Sequence, residues 1–175
     1  MAIREILRLG NPILFEKCEE IEDFNSTITA QTIQDLKDTL LNFKKENGFG
    51  RGIAAPQIGV LKRIIHIDYQ TEKLSGPLIN PQIVRQSKER IQLWDDCFSF
   101  PDLMVKVERF KEIGVEFFNS SGEKTFINAM GDLSELLQHE IDHLDGILSV
   151  QRAIGSKAFA FRQEWVKYLK NNRFP

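Results

Sequence analysis

Two of the chain's three histidines, His139 and His143, stand four residues apart, with Glu140 directly after the first. They fall in the run Gln-His-Glu-Ile-Asp-His-Leu-Asp-Gly at residues 138–146. On an α-helix, residues four apart share a face, so two imidazoles can meet at one point in space. Glu140 is placed to take a proton from a water activated at that point. The pattern is that of a helix-borne metal site with its own general base. The plain alternative is an amphipathic helix that carries two histidines by chance, and five residues alone do not exclude it.

A catalytic site of this kind needs three protein ligands and an open position. Three sources for the third ligand can be weighed. In one metallopeptidase pattern the motif continues to a glycine and a further histidine or aspartate. Gly146 fits that pattern, but Ser149 stands where the ligand belongs, and serine is a poor one. In another pattern a downstream helix supplies a glutamate, for which Glu164 lies at a suitable distance. The third source is Cys97, in the segment Asp-Asp-Cys-Phe-Ser, whose thiolate would bind zinc or ferrous iron strongly. The residues alone leave Glu164 and Cys97 both open.

The elements that must position these groups can be read along the chain. Leu9-Gly10-Asn11-Pro12 marks a turn. Ser26 or Thr27 caps a helix running to about residue 46, with Ile33, Leu36, Leu40 and Phe43 on its inner face and Asn47-Gly48 ending it. The segment Gly-Phe-Gly-Arg-Gly-Ile-Ala-Ala-Pro-Gln-Ile-Gly (48–59) leaves backbone bare for close approach. It lacks the endings of phosphate-binding loops. Residues 63–68 read as a strand in which His66 is structural. Residues 77–84 are extended with a bend at Asn80-Pro81, and strands follow at 90–93, 105–107, 113–118 and 124–128, the last two joined by the turn Asn119-Ser-Ser-Gly122. Gly146 stops the histidine helix, and Ser156 caps a last helix with Phe159, Trp165 and Leu169 inward. The expectation is one α+β domain over residues 1–175, with short β-sheets packed around a central helix that carries the motif.

With 175 residues, 42% apolar and 27% charged, the chain has the balance of an ordinary globular protein. Its formal net charge of −2 gives no reason to expect nucleic acid or an acidic membrane as partner. No apolar run is long enough to span a bilayer, and Arg4, Glu5 and Arg8 break up any signal-peptide core. A cytoplasmic location follows as the default, and with it two unpaired cysteines, Cys18 reading as an idle buried thiol.

Three separated segments together resemble the peptide deformylase family. Gly50-Arg-Gly-Ile-Ala-Ala-Pro-Gln57 matches its glycine-rich segment. Asp95-Asp-Cys-Phe-Ser99 matches its Glu-Gly-Cys-Leu-Ser imperfectly, and the run at 138–146 matches its histidine motif fully. Order and spacing agree, and the similarity covers nearly the whole chain. The resemblance implies a metal-dependent hydrolase that removes the formyl group from the N-terminal methionine of new polypeptides. By position, Cys97, His139 and His143 would hold one divalent metal per chain: ferrous iron in cells, often zinc or nickel in isolated protein. Glu140 would be the general acid/base. Gln57 and the backbone N–H of Phe98 would donate to the oxyanion. Gly52, Ala54 and Ala55 would let an extended peptide lie alongside as an added strand. The implied partner is a formylated peptide or nascent chain, at the ribosome.

The chain also departs from the family pattern. Asp95 replaces a glutamate, Asp96 a glycine and Phe98 a leucine. Arg51 stands where an apolar residue is usual, and the helix start carries Asp132 and Glu135 at pocket positions, with Leu136 beside them. The expected substrate-binding positions are thus Arg51, Gly52, Asp95, Asp96, Asp132, Glu135 and Leu136. Asp132 and Glu135 also fit a capping box. The departures leave open a related hydrolase acting on another N-acyl peptide or amine. A non-catalytic metal-binding relative is the rival of another class, opposed by the intact set of Cys97, Gln57, Glu140 and both histidines.

Overall fold

Ser26 accepts a hydrogen bond from the Thr29 N–H and starts α1 (Thr27–Asn47), and Gly48, at φ 76°, ends it in the left-handed conformation. Leu36 and Leu40 are fully buried on its inner face, each worth roughly 1.5–3 kcal/mol of apolar burial. The computed structural model describes residues 2–69 and 74–170. Eight strands follow in chain order: β1 (Gly52–Ala54), β2 (Ile64–Tyr69), β3 (Leu74–Gln86), β4 (Arg90–Asp96), β5 (Leu103–Phe110), β6 (Glu112–Phe118), β7 (Lys124–Met130) and β8 (Phe159–Phe161). They form an antiparallel five-stranded sheet, β1-β2-β3-β6-β7, and a three-stranded sheet, β4-β5-β8. The short β1 is therefore an edge strand.

Period-two alternation explains how the larger sheet serves two cores. Ile53, Ile64 and Ile79 pack with Leu36 and Leu40 of α1 on one face. Ala54, Ile65, Ile67 and Leu78 pack with Leu133, Leu137, Ile141 and Leu144 of α2 (Asp132–Leu144) on the other. His66 is buried on its strand and separate from the two motif histidines. The expected bend at Asn80-Pro81 is a register shift in β3, with Asn80 at φ 49°. Asparagine tolerates that conformation, and its side chain bonds the Ile21 N–H and C=O at 2.8 and 2.9 Å.

Every residue from 133 to 144 in α2 is buried, so the expected central helix is observed. Its start differs from expectation. Gly131, at φ 58°, is the N-cap and turns the chain out of β7, so Asp132 already lies inside the first turn. No side chain caps this end, and the Asp132–Glu135 capping box does not form. The other end is closed by Arg63, which donates to the Leu144 carbonyl at 3.3 Å and to Asp145 at 2.6 Å. The C-terminus also differs. Ser156 caps nothing, because residues 159–161 pair with β5 as β8. A short helical stretch begins only at Arg162 (Arg162–Glu164, then a π-turn at Trp165–Leu169), and Phe159 is 45% exposed. Among the described residues, no helix is long and apolar enough to cross a membrane.

Candidate metal centre and its cleft

His139 and His143 project from successive turns of α2, and Cys97 follows the last residue of β4 on the other sheet. Their donor atoms converge. The two Nε2 atoms are 3.2 Å apart, and Cys97 Sγ is 3.3 Å from His143 Nε2. All three donors lie within 4.8 Å of one another, and all three residues are buried. Ligands at tetrahedral angles on an ion with bonds of about 2.0–2.3 Å stand roughly 3.3–3.6 Å apart. Two imidazoles and a thiol at nearly that separation fit a divalent transition metal. Glu164 is exposed on the C-terminal stretch and belongs to no such group among the described residues.

The donors are held by an ionic chain that sequence reading passed over. His139 Nδ1 meets the Asp95 carboxylate at 2.9 Å, which leaves Nε2 to face the other donors. Asp95 in turn accepts from Arg109 at 3.1 Å. Arg109 also donates to Asp142, which Arg152 grips at 2.7 Å. Asp95, placed among the substrate positions on sequence, thus lies behind the histidine with only 2% exposure. Burial alone would lower the His139 pKa, but the Asp95 carboxylate outweighs it and holds the imidazole well above its ordinary range. Burial and the nearby His139 charge push His143 well below its range. Asp95 therefore gives the cluster its appetite for positive charge, a proton or a cation.

Gln57 occupies a 3₁₀ turn (Ala55–Ile58) after β1. Its Oε1 accepts the Ala54 N–H at 2.9 Å, which fixes the amide so that Nε2 points at Cys97 Sγ (3.5 Å) and Ser99 Oγ (3.3 Å). The N-terminal segment laces this region together: the Leu7 N–H reaches the Gln57 carbonyl at 2.8 Å and Arg8 the Phe98 carbonyl at 2.7 Å. Phe98 stacks on Phe43 with ring centres 3.8 Å apart. Glu140 is buried, and its Oε2 has no partner among the described residues. Burial, reinforced by Glu135 and Asp95 against the pull of His139, raises its pKa to about 7. Gly52 lies against it: a Cβ there would stand 2.6 Å from Glu140 Oε1.

These groups open onto a cleft of about 350 Å³. Gly52, Gln57, Cys97, Phe98, Leu136, His139 and Glu140 face it together with Arg51, Asp96 and Glu135. Arg51 donates to Glu135 at 2.6 Å, a pair joining the β1 side of the cleft to α2. Asp132 is exposed and meets Arg51 only through its backbone carbonyl at 3.4 Å. Asp96 pairs with Arg162 at 2.6 Å, a contact that no sequence signal announced.

The family model for polypeptide deformylase matches residues 3–158. A peptide deformylase of Desulfitobacterium hafniense is 40% identical over 154 residues, covering 87% of this chain and 96% of that one. One of Pseudothermotoga lettingae is 32% identical over 98% of this chain and 95% of its own. Among solved structures, a peptide deformylase from Legionella pneumophila superposes with a TM-score of 0.80 at 32% identity, covering 99% of this chain and 100% of that one. One from Thermotoga maritima gives 0.79 at 30% identity, over 89% and 100%.

Proposed function

The chain belongs to the peptide deformylase family, and on that premise we propose that Cys97, His139 and His143 are its metal ligands, with Glu140, Gln57 and the Phe98 N–H doing the chemistry beside them. The chain is a hydrolase that removes the N-formyl group from nascent polypeptides. The observation that carries the residue assignment is the convergence of the three donors beside the Glu140 carboxylate, in the cleft that Gln57 also lines. A divalent cation held there, ferrous iron in cells with zinc or nickel able to replace it, supplies Lewis acidity and brings a water's pKa from about 15.7 to nearer 7.

The chain's own groups do the rest. Glu140, with a free Oε2 and a pKa near neutrality, accepts the proton of the attacking water and passes it to the departing amine nitrogen. Gln57 Nε2, its amide fixed by Ala54, donates to the formyl oxygen as charge builds on it, and the Phe98 N–H is the second donor. The free edge of β1 takes the peptide as an added strand. The substrate is a formylated peptide as it leaves the ribosome, in the cytoplasm.

The test is Cys97→Ala. It should lose bound metal, by elemental analysis, together with formate release from formyl-Met-Ala-Ser. Full metal content in that protein would overturn the ligand set. An N-acyl substrate other than formyl-methionine is the second reading, favoured by the Arg51–Glu135 ion pair on the cleft wall.

A further inference from the structure

Arg162 lies beyond residues 3–158, the segment that the family model matches, yet its guanidinium touches both rims of the cleft. Nη2 donates to Asp96 Oδ2 at 2.6 Å, and Nε donates to the Pro101 carbonyl at 2.6 Å. Its Cζ lies over the Phe49 ring, 4.1 Å from the ring centre. Phe49 and Asp96 both line the cleft, and they come from different parts of the fold. Phe49 precedes β1 and packs edge-on against Phe43 at 5.3 Å and Phe98 at 6.2 Å. Asp96 ends β4, next to Cys97.

The anchor is firm. The Arg162 N–H bonds the Asp102 carbonyl at 2.7 Å, and β8 just before it is paired with β5. The Arg162 and Asp96 side chains keep only 25% and 30% of their exposure. A fork that donates to a carboxylate and to a carbonyl while its centre sits over an aromatic ring is a task for arginine that lysine's point charge cannot copy.

We propose that Arg162 is a positioning residue for the formylated peptide: it straps the Phe49 rim to the Asp96 rim and screens the Asp96 charge from the bound chain. The strap rests on the cleft being the formyl-peptide site argued above. The arginine and lysine that line the cleft each have a carboxylate of their own, Arg51 in Glu135 at 2.6 Å and Lys44 in Asp68 at 2.7 Å. Without Arg162, Asp96 would keep only the longer-range pull of Arg51, itself paired with Glu135, and would present most of its charge to the peptide. Acidic side chains of the peptide would be repelled and basic ones drawn in. A merely structural arginine would weaken all peptides alike.

The experiment compares R162Q and R162K with the unaltered enzyme on two peptides, formyl-Met-Glu-Ser and formyl-Met-Lys-Ser. R162Q should raise KM for the Glu peptide about tenfold while kcat stays within about threefold. KM for the Lys peptide should change little, so the ratio of the two kcat/KM values shifts toward Lys. R162K keeps the charge and loses the fork, so it should keep the native ratio while raising both KM values. The D96N/R162Q double variant carries neither charge and should return to about the native ratio. An unshifted ratio in R162Q, or equal losses on both peptides, overturns the proposal. Should R162Q not fold, D96N alone decides: with Arg162 left unpaired the ratio should shift toward the Glu peptide, and an unshifted ratio overturns the proposal. Formate release by the unaltered enzyme separates the two readings. With none from either peptide, the reading of the cleft fails and the strap with it. With release and a native ratio in R162Q, the strap alone fails.

Discussion

Glu140 and Gln57 touch the same small volume but do different work, and single substitutions should tell them apart. Glu140→Ala leaves all three proposed ligands in place, so metal content and fold should persist while kcat falls roughly 10²-fold or more. Gln57→Ala removes one oxyanion donor and should cost about 10²–10³-fold in kcat. Metal lost from the Glu140 variant would mean that the carboxylate is a ligand rather than a base. The Arg51–Glu135 pair makes a different prediction. Glu135 is 7% exposed at its side chain and burial already raises its pKa, so Arg51→Ile alone leaves a buried carboxyl without its partner and should destabilise by about 1–3 kcal/mol. Arg51→Ile with Glu135→Ile removes both charges and should be close to neutral in a urea titration. The double variant should also prefer formyl-Met over formyl-Ala peptides more strongly than the native chain does, since a methionine side chain gains about 0.8 kcal/mol per buried CH₂ on an apolar wall. An unchanged or weaker preference would show that the pair does not meet the first side chain.

At the scale of elements, β1 and α2 meet at Gly52. Its φ lies outside the glycine-favoring region, so alanine is acceptable to the backbone, and the conflict is confined to the Glu140 side chain at 2.6 Å. Gly52→Ala should therefore hold its melting temperature within a few degrees and keep its metal. Its kcat should fall by about 10-fold or more, since misplacement by an ångström can cost 10²-fold. A variant at full kcat would mean that Glu140 has room to move. The α2 motif was legible in the sequence because its ligands repeat at the helix's own period. Helix α1 was legible too, its cap and apolar stripe being local. Two helix starts were misread for one physical reason, that longer-range pairing overrode a local pattern. Gly131 turned α2 out of β7 one residue before the apparent Asp132 cap, and β8 formed on β5 where Ser156 promised a helix. Arg109 could not be found by spacing, because it is 14 residues from Asp95 and 33 from Asp142. Cys97 had a rival in Glu164 until the resemblance, and then the geometry, brought it to the histidines.

The molecule as a whole carries a pH dependence that does not come from the cleft. His66 is 5% exposed, and burial with Lys37 nearby lowers its pKa to about 4, against about 6.5 when unfolded. Between those values the unfolded chain binds the proton and the folded one does not. Stability is therefore full above pH 6.5 and is lost as pH falls toward 4, by on the order of 3 kcal/mol from this group. Urea midpoints across pH 7 to 4 should show the loss, and His66→Leu should flatten that slope; an equal slope in both proteins would place the titration elsewhere. The proposed ligands have a wider consequence through where they sit. Cys97 belongs to the three-stranded layer, with Val105 and Val107 in its cluster, whereas both histidines ride on a helix packed against the five-stranded one. An ion gripped by all three is a rivet between two layers, added to their packed side chains and to the backbone hydrogen bonds of the N-terminal segment. Withdrawing it with a chelator should leave amide hydrogen exchange in β6 and β7 nearly unchanged. Exchange should quicken at residues 97–99 and along α2, so deuterium uptake would map the seam that the ion closes.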